Sequence, residues 1–287
     1  MSYGFTEIDH LLGSAVDPQR GGEEYERLGF TVTPLSIIES IGVGNRMVLL
    51  RPLTANTANF IECMGIVDRA RVPPTMADLL GGSEGMRSMV LSGPDARASH
   101  AQLKRDGFEF LPALDLEREW TLPSGEILRP AFLVTLPAPA PLRFNFCQYR
   151  NLQPYLRAEW LAHENGAQHL SSVLAIADNA EAAVKPFEVV FARQARNRDG
   201  IFSVGPGKVQ LRVGNQAALR SFIPDEWLGE TRGIRYLGFE VMVASLAALR
   251  ALFVRRGINF VERSHALVIA PQEACGNVLR FTESEAA

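Results

Sequence analysis

Residues 7–30, EIDHLLGSAVDPQRGGEEYERLGF, contain the pattern that decides the fold of this chain. An apolar strand that carries His10 comes first, Asp17 starts a helix, and Gly29 ends that helix twelve positions later. Asp at a helix start caps free backbone N–H groups, and Gly just past the end accepts the left-handed conformation that stops a helix. The stretch therefore predicts a strand followed by a helix that is capped at both ends.

This strand–helix pattern occurs four times along the chain. The three further helices begin and end at Asp95 and Gly107, at Asp178 and Val190, and at Ser245 and Gly257. Short strand-like runs separated by turn residues follow each helix, for example FTVTPL, RMVLLRP and ANFIECMG after the first one. The helix starts are 78, 83 and 67 positions apart, so the sequence predicts four β-α-β-β-β modules.

The four modules are predicted to form two domains. A single module leaves one face of its strands uncovered and must pack against another. Because sequential elements are usually neighbours in space, we expect module one to pair with module two, and module three with module four. The predicted fold class is α+β, with the modules paired into two half-barrel domains. The boundaries are 1–150 for the first domain (modules about 5–65 and 86–150), 151–168 for a linker, and 169–287 for the second domain (modules about 169–215 and 234–284).

Composition and charge restrict the class of partner. Hydrophobic residues make up 47% of the chain and charged residues 21%, which is typical of a soluble globular protein. The net charge of -3 argues against nucleic acid, whose phosphates need a basic surface. No apolar run approaches the length of a membrane span, about 18 residues, and no signal peptide is evident at the N-terminus. The three cysteines are odd in number and widely spaced, which favours a reducing cytoplasm over a disulfide framework or a zinc site.

Two further stretches match a known family. The first helix is followed by GVGNRMVLL (42–50), and EWLAHENGA (159–167) connects the two halves. Together with the four modules, these stretches resemble the glyoxalase-like branch of the vicinal oxygen chelate superfamily, whose members include glyoxalase I, extradiol dioxygenases and antibiotic-resistance proteins. The resemblance spans nearly the whole chain. It implies half-barrels whose concave face holds a divalent metal, with ligands on the first strand (often His) and the last strand (often Glu) of a module.

His10 and Glu62 occupy these two ligand positions in module one. Strand alternation predicts that His10 shares its face with Ile8 and Leu12. The equivalent first-strand positions of the other modules, counted back seven residues from each predicted helix start, are Ser88, Ser171 and Gly238. None of these residues is a strong metal ligand, and Asn145 to Cys147 replaces the expected carboxylate on the last strand of module two.

A third ligand for the metal is His169, which reaches His10 and Glu62 only if module one packs against module three. Two histidines and one carboxylate would then form a ligand set suited to iron, manganese, nickel or zinc, with no organic cofactor. We also expect four residues to contact the substrate: Asn45, Asn145, Tyr149 and His163.

Two functions follow from the resemblance. The first is an enzyme of lyase, isomerase or dioxygenase type, in which a divalent metal chelates neighbouring oxygens of a small oxygen-bearing metabolite. The second is a metal-free protein that binds or sequesters a small molecule, as the resistance branch does. Both predict a small-molecule partner and neither nucleic acid nor membrane, and a homodimer is left open.

Overall fold

The computed structural model describes residues 3–136 and 142–283. These residues form two eight-stranded mixed sheets with seven α-helices, which confirms the predicted α+β class and the two half-barrels. The first sheet consists of β1 (Glu7–Ser14), β2 (Ser36–Ile38), β3 (Val43–Leu49), β4 (Phe60–Ile66), β5 (Gly85–Ser92), β6 (Leu114–Glu117), β9 (Ala131–Val134) and β10 (Phe144–Tyr149), with a separate hairpin of β7 (Trp120–Thr121) and β8 (Ile127–Leu128). The second sheet consists of β11 (Ala167–Ala177), β12 (Arg196–Arg198), β13 (Ile201–Val204), β14 (Gln210–Gly214), β15 (Ile234–Val243), β16 (Val261–Arg263), β17 (Ala266–Ile269) and β18 (Val278–Glu283). The helices are α1 (Pro18–Arg27), α2 (Pro74–Leu80), α3 (Ala96–Arg105), α4 (Ala180–Phe191), α5 (Gln216–Leu219), α6 (Asp225–Leu228) and α7 (Leu246–Arg256).

The strand order shows which modules pair. It is β2-β3-β4-β1-β5-β10-β9-β6 in the first sheet and β12-β13-β14-β11-β15-β18-β17-β16 in the second. At each centre, the first strands of two modules run antiparallel (β1 with β5, β11 with β15), and each lies parallel to the last strand of its own module. Module one therefore pairs with module two, and module three with module four, as predicted.

Helix capping follows the sequence pattern in three modules and differs in one. Asp17, Asp95 and Ser245 accept hydrogen bonds from backbone N–H groups in the first turns of α1, α3 and α7. In the third module the cap is Asn179, not the predicted Asp178, and the helix ends at Ala192 in the left-handed conformation rather than at Val190. Asp178 instead accepts a hydrogen bond from Gly233 N at 2.8 Å. The sequence could not distinguish these two neighbouring positions as the helix start, because Asp and Asn are both good caps.

The strand predictions were wrong in detail at several places. FTVTPL (30–35) is not a strand, and the first outer strand is β2, which starts at Ser36. Module three has an outer strand, β12, that the sequence pattern missed because its residues Arg196–Arg198 are all exposed and charged or polar. In FLVTLPA (132–138), β9 covers residues up to Val134, and positions 137 and 138 lie outside the described residues.

One apolar core joins the two sheets. It includes buried side chains of both sheets and of α1, α3, α4 and α7, so both halves contribute to the same core. Phe30 stacks on Phe281 with ring centroids 5.8 Å apart, and Phe144 contacts Phe187 edge-on at 6.0 Å. Each half-barrel also has a smaller apolar cluster of its own, on the opposite face of its sheet. The concave faces are thus separate from the core that holds the halves together.

Buried polar contacts fix the two halves relative to each other. The carboxylate of Glu7 on β1 accepts hydrogen bonds from the N–H groups of Lys208 and Val209, both at 2.9 Å. The side chain of Asn277 accepts one from Met86 N at 2.9 Å. Removing one partner of such a buried bond leaves the other without water or protein to bond to, so these contacts favour a single arrangement. Among the described residues, no helix is both long enough and apolar enough to cross a membrane.

Candidate functional site

The candidate site is a cavity on the concave face of the first half-barrel. Its volume is about 50 Å³, which leaves room for a ligand of few atoms. Most of its wall is apolar, and the polar side chains that line it are His10, Glu62, Arg118, Asn145, Cys147, Tyr149 and Tyr155. Four of the residues predicted from sequence therefore share one cavity: His10, Glu62, Asn145 and Tyr149.

A bulge in β1 directs His10 into this cavity. The pairing of β1 with β5 shifts register between Ile8 and His10, and the extra residue is Asp9. Ile8 consequently packs in the core between the sheets, while Leu12 belongs to the apolar cluster of the concave face. The prediction that Ile8 shares a face with His10 was wrong, because a bulge interrupts strict alternation and re-aims side chains.

His10 is held by Asp9 and Tyr149. The imidazole Nδ1 lies 2.7 Å from Asp9 Oδ1 and 3.3 Å from the Tyr149 hydroxyl, which donates a hydrogen bond to the same carboxylate oxygen. Burial raises the pKa of Tyr149 well above its usual value, and the charge of Asp9 raises it further, so the phenol stays protonated as a donor. The ring of His10 stacks on Phe60 with centroids 4.0 Å apart. In a neutral imidazole that donates Nδ1–H to Asp9, the lone pair lies on Nε2.

Glu62 lies in a buried polar cluster with Arg118 and Asn45. Arg118 Nη2 is 3.5 Å from Glu62 Oε1, and Arg118 Nη1 donates to Asn45 Oδ1 at 2.9 Å. The Asn45 amide donates a hydrogen bond to Glu62, so Asn45 bridges the ion pair from behind and is not among the residues that line the cavity. Arg118 Nε is buried and has no hydrogen-bond partner among the described residues. Arg118 is a lining residue of the cavity, and its cluster therefore includes one guanidinium N–H that no described residue accepts.

The equivalent positions of module two are occupied by a hydrogen-bonded pair. Ser88 is paired with Leu12 across the sheet, and Asn145 on β10 is paired with Val90. Ser88 donates a hydrogen bond to Asn145 Oδ1 at 2.6 Å, and both residues are buried. A serine hydroxyl and an amide thus stand where the resemblance implies a second histidine and carboxylate.

These residues do not complete a divalent-metal site. His10 and Glu62 are the two strong ligands, while a catalytic zinc site or a facial-triad iron site takes three from the protein. Glu62 is already paired with Arg118, whose positive charge opposes a cation at the same carboxylate. Within residues 3–136 and 142–283 no group of three His, Cys, Asp or Glu side chains is arranged to hold a metal ion.

The second half-barrel differs from the first at the same positions. With Asn179 as the cap, its first-strand position is Ser172 rather than the predicted Ser171, and the two last-strand positions are Arg212 and Arg280. Both arginines bind Glu240, and both guanidinium groups lie over the ring of Phe222, at 5.1 and 4.9 Å. Arginine has no lone pair to offer a metal. Ion pairs and the ring of Phe222 therefore surround the last-strand positions of this half-barrel.

The two other predicted histidines lie away from the cavity. His169 is on β11 in the second sheet, where it pairs with Met242, and the module pairing that would bring it to His10 is not the one observed. His163 accepts a hydrogen bond from Thr31 N at 3.0 Å through Nδ1, and Nε2 donates to Leu49 O at 2.9 Å. Neither histidine is among the residues that line the cavity. Metal binding by His169 and substrate binding by His163 stay predictions.

Sequence reasoning missed Asp9, Arg118 and Tyr155. Asp9 is adjacent to His10, so a His–Asp pair could have been considered, but alternation placed the two on opposite faces. Arg118 lies in the charged run DLEREW, which is typical of a solvated strand. Its burial depends on β6 pairing with β9 and on the guanidinium packing over Phe132 at 4.9 Å.

Comparison with known proteins supports this fold and identifies the family. A family model described as a glyoxalase-like domain matches residues 8–191 of the 287. A hypothetical protein from Staphylococcus aureus has a TM-score of 0.63 at 12% identity, with 97% of this chain and 98% of that one covered. A mutant 4-hydroxymandelate synthase from Streptomyces coelicolor has a TM-score of 0.58 at 9% identity, with 99% and 94% covered.

A fusion of a xylose isomerase-like TIM barrel with 4-hydroxyphenylpyruvate dioxygenase gives a TM-score of 0.59 at 9% identity, and the alignment covers 100% of this chain and 50% of that one. Identities this low show a shared fold and carry no information on substrate. No curated protein sequence matches the chain. The family match covers well over half of the residues and confirms the resemblance seen in the sequence. The chain belongs to the glyoxalase-like domain family.

Proposed function

We propose that the first half-barrel binds a small, mainly apolar molecule with a carbonyl or hydroxyl oxygen, and that His10 exchanges a proton with it. The observation that carries the proposal is that one mainly apolar cavity is lined by both a histidine that can exchange a proton and an arginine that can donate a hydrogen bond. The imidazole of His10 is backed by Asp9 at 2.7 Å, and the buried guanidinium of Arg118 has an unpaired Nε–H. No divalent metal takes part in this proposal.

The wall of the cavity favours a neutral ligand. Leu12, Met64 and Val90 are among the many apolar residues that line it, and they suit a hydrocarbon body. Glu62 already pairs with Arg118, and Asp9 places a further carboxylate behind His10, so an anionic ligand would find no guanidinium free of a carboxylate. A carbonyl or hydroxyl oxygen can accept the free hydrogen bond of Arg118 without adding charge.

The His10 pair supports proton transfer. Asp9 accepts the Nδ1–H and fixes the tautomer, so Nε2 is the atom that takes a proton from a ligand. Abstraction of a proton next to a carbonyl places negative charge on the oxygen, and the Arg118 guanidinium would stabilise that charge. Proton abstraction of this kind is the first step of isomerase and lyase reactions.

The test is binding and hydrogen exchange with a panel of small ketones, hydroxyketones and alcohols. Ligand-observed NMR would identify the binders, and loss of the α-proton signal in D₂O would report proton abstraction. We expect exchange of a bound ketone to fall by about 10²-fold or more in His10→Asn, the usual range for general-base catalysis. His265→Asn is the matched control, because His265 is exposed and lies in the second half-barrel, between β16 and β17. Binding without exchange would favour the sequestering function instead, and no binding to any member would overturn the proposal.

Metal-dependent chemistry is the second candidate, because His10 and Glu62 stand at the two ligand positions of module one and line the same cavity. Elemental analysis of protein purified without a chelating tag, before and after incubation with iron, manganese, nickel and zinc, separates the two. We expect no stoichiometric metal. About one metal per chain that is lost in His10→Ala would replace our proposal with the metal-dependent one.

A further inference from the structure

A second and larger cavity lies between the two half-barrels. Its volume is about 550 Å³, within the range of small-molecule sites, about 300–1,000 Å³. One wall comes from β5 and the residues before β10, with Arg87 and Arg143. The other comes from α6 and β15, with Trp227, Arg235 and Tyr236. We call this cavity the arginine cleft.

Arg87 in the arginine cleft has no carboxylate partner among the described residues. Its Nη2 donates to the main-chain oxygens of Gly81, at 3.2 Å, and Ser83. Its Nε is buried and has no hydrogen-bond partner in the described part of the chain. Burial lowers the pKa of Arg87, and the nearby positive charge of Arg143 lowers it further. Arg87 therefore has no direct ion pair, although the carboxylates of Asp78 and Glu84 line the same cleft.

Arg235 on the opposite wall also has no ion-pair partner among the described residues. It donates hydrogen bonds to the main-chain oxygens of Leu228 and Tyr236, and no ion pair compensates its charge within residues 3–136 and 142–283. Burial lowers its pKa as well. Arg143 differs, because it binds Asp78 at 2.9 Å, and that carboxylate is 69% exposed. Two of the three arginines thus have no direct ion pair, and three guanidinium groups face two carboxylates in the cleft, those of Asp78 and Glu84.

The floor of the cleft is built for close approach of the two halves. Gly85 and Gly276 both have positive φ, at 124° and 75°. A Cβ on Gly276 would lie 2.5 Å from the backbone of Glu84, so a side chain there would push the walls apart. This close contact therefore fixes the two walls that carry the arginines relative to each other.

We propose that the arginine cleft binds a small molecule that carries a phosphate group. A phosphate monoester has a charge of about -1.5 to -2 at pH 7, and Arg87 and Arg235 are the two guanidinium groups of the cleft that have no ion pair to give up for it. Guanidinium forks bind phosphate oxygens in pairs, with stronger hydrogen bonds than neutral donors give. Trp227 and Tyr236 offer ring surface for the organic part of the ligand. This proposal does not depend on the function of the first half-barrel.

The test uses inorganic pyrophosphate as the phosphate probe and malonate as the carboxylate probe, followed by titration calorimetry on the full chain. We expect saturable binding of one pyrophosphate per chain, weakened at least tenfold in Arg87→Gln and in Arg235→Gln. Arg232→Gln is the matched control, because Arg232 is 93% exposed and three positions from Arg235. Thermal unfolding of each variant confirms that it is folded.

Three outcomes would overturn the proposal. They are absence of saturable pyrophosphate binding at millimolar concentration, equal weakening in Arg232→Gln, and malonate binding as tight as that of pyrophosphate. The last outcome would assign the cleft to carboxylates instead. Unchanged affinity in both Arg87→Gln and Arg235→Gln would place the pyrophosphate elsewhere on the chain and would also count against it.

Discussion

Arg118 and Glu62 form an ion pair inside the first half-barrel, with Nη2 and Oε1 3.5 Å apart and the side chains 5% and 4% exposed. Breaking a buried pair by removing one partner leaves an uncompensated charge, which costs about 3–5 kcal/mol. We expect Glu62→Gln and Arg118→Met each to lower the free energy of unfolding by about 3 kcal/mol. Urea denaturation of both variants measures the loss.

The double variant Glu62→Gln/Arg118→Met distinguishes a true pair from two independent side chains. It should be clearly more stable than the sum of the two losses predicts, because neither charge is then left alone. The exposed pair of Arg129 and Glu119, at 2.8 Å, provides the comparison and should contribute less than about 1 kcal/mol. Strict additivity of the Glu62 and Arg118 losses would contradict the pairing.

The fold could be predicted because its signals are local and repeated. A cap residue, a helix and a terminating glycine occur within a dozen positions, and each follows from backbone chemistry that does not depend on the rest of the chain. Asp17 and Gly29 show this in module one, where Asp17 caps α1 and Gly29 adopts a φ of 87°. The pairing of modules then followed from their order along the chain.

The site could be predicted only in part, because its chemistry depends on contacts between distant strands. His10 and Glu62 were found from their positions within one module. The role of Arg118 could not be found in this way. Its side chain becomes buried only when β6 joins the edge of the sheet, and its hydrogen bond goes to Asn45, which is 73 residues away in sequence. The bulge at Asp9 was also invisible, because register shifts arise from pairing between strands rather than from the strand itself.

The lowered pKa of His163 predicts that the protein loses stability in mild acid. Burial lowers the pKa of His163 below its usual 6.5, although the hydrogen bond to Leu49 raises it, and Arg51 lowers it further. The unfolded chain therefore binds more protons than the folded one below about pH 6.5, and the free energy of unfolding falls as pH decreases through the folded pKa. The slope from this group is at most about 1.4 kcal/mol per pH unit.

Comparison of wild type with His163→Gln between pH 7.5 and 5 checks this contribution. Burial also lowers the pKa of His169, so this residue contributes to the loss of stability over the same pH range. The relevant quantity is therefore the difference in free energy of unfolding between wild type and His163→Gln. We expect His163→Gln to be less stable than wild type at pH 7.5 and the gap to narrow towards pH 5. A gap that is constant over the range would show that folding does not lower the pKa of His163.

The three thiols should be unreactive in the folded protein. Cys63, Cys147 and Cys275 are buried, each 3% exposed. A hydrogen bond with Cys275 and burial raise the pKa of Cys63, and burial raises that of Cys147, so little thiolate is present at pH 8. An aromatic disulfide reagent should therefore release no stoichiometric thiolate until urea is added, and then three equivalents per chain. The variant Ser124→Cys, on an exposed turn, gives the rate for an accessible thiol. Rapid reaction of any native cysteine would contradict the burial.

The ion pairs of Glu240 predict that buried charge stabilises the second half-barrel. Burial raises the pKa of Glu240, but Arg280 and Arg212 outweigh that effect and hold it below its usual 4.5. The stabilisation from a depressed carboxyl is present above the unfolded pKa and is lost as pH falls through the folded pKa. We expect Glu240→Gln to lower the free energy of unfolding at pH 7 by about 3 kcal/mol, because two guanidinium groups are left without a carboxylate. The gap to wild type should shrink as pH falls below 4.5, and urea denaturation at pH 7, 5 and 4 measures it. A gap that grows in acid would mean that Glu240 is protonated in the folded protein and that the arginines are compensated by another group.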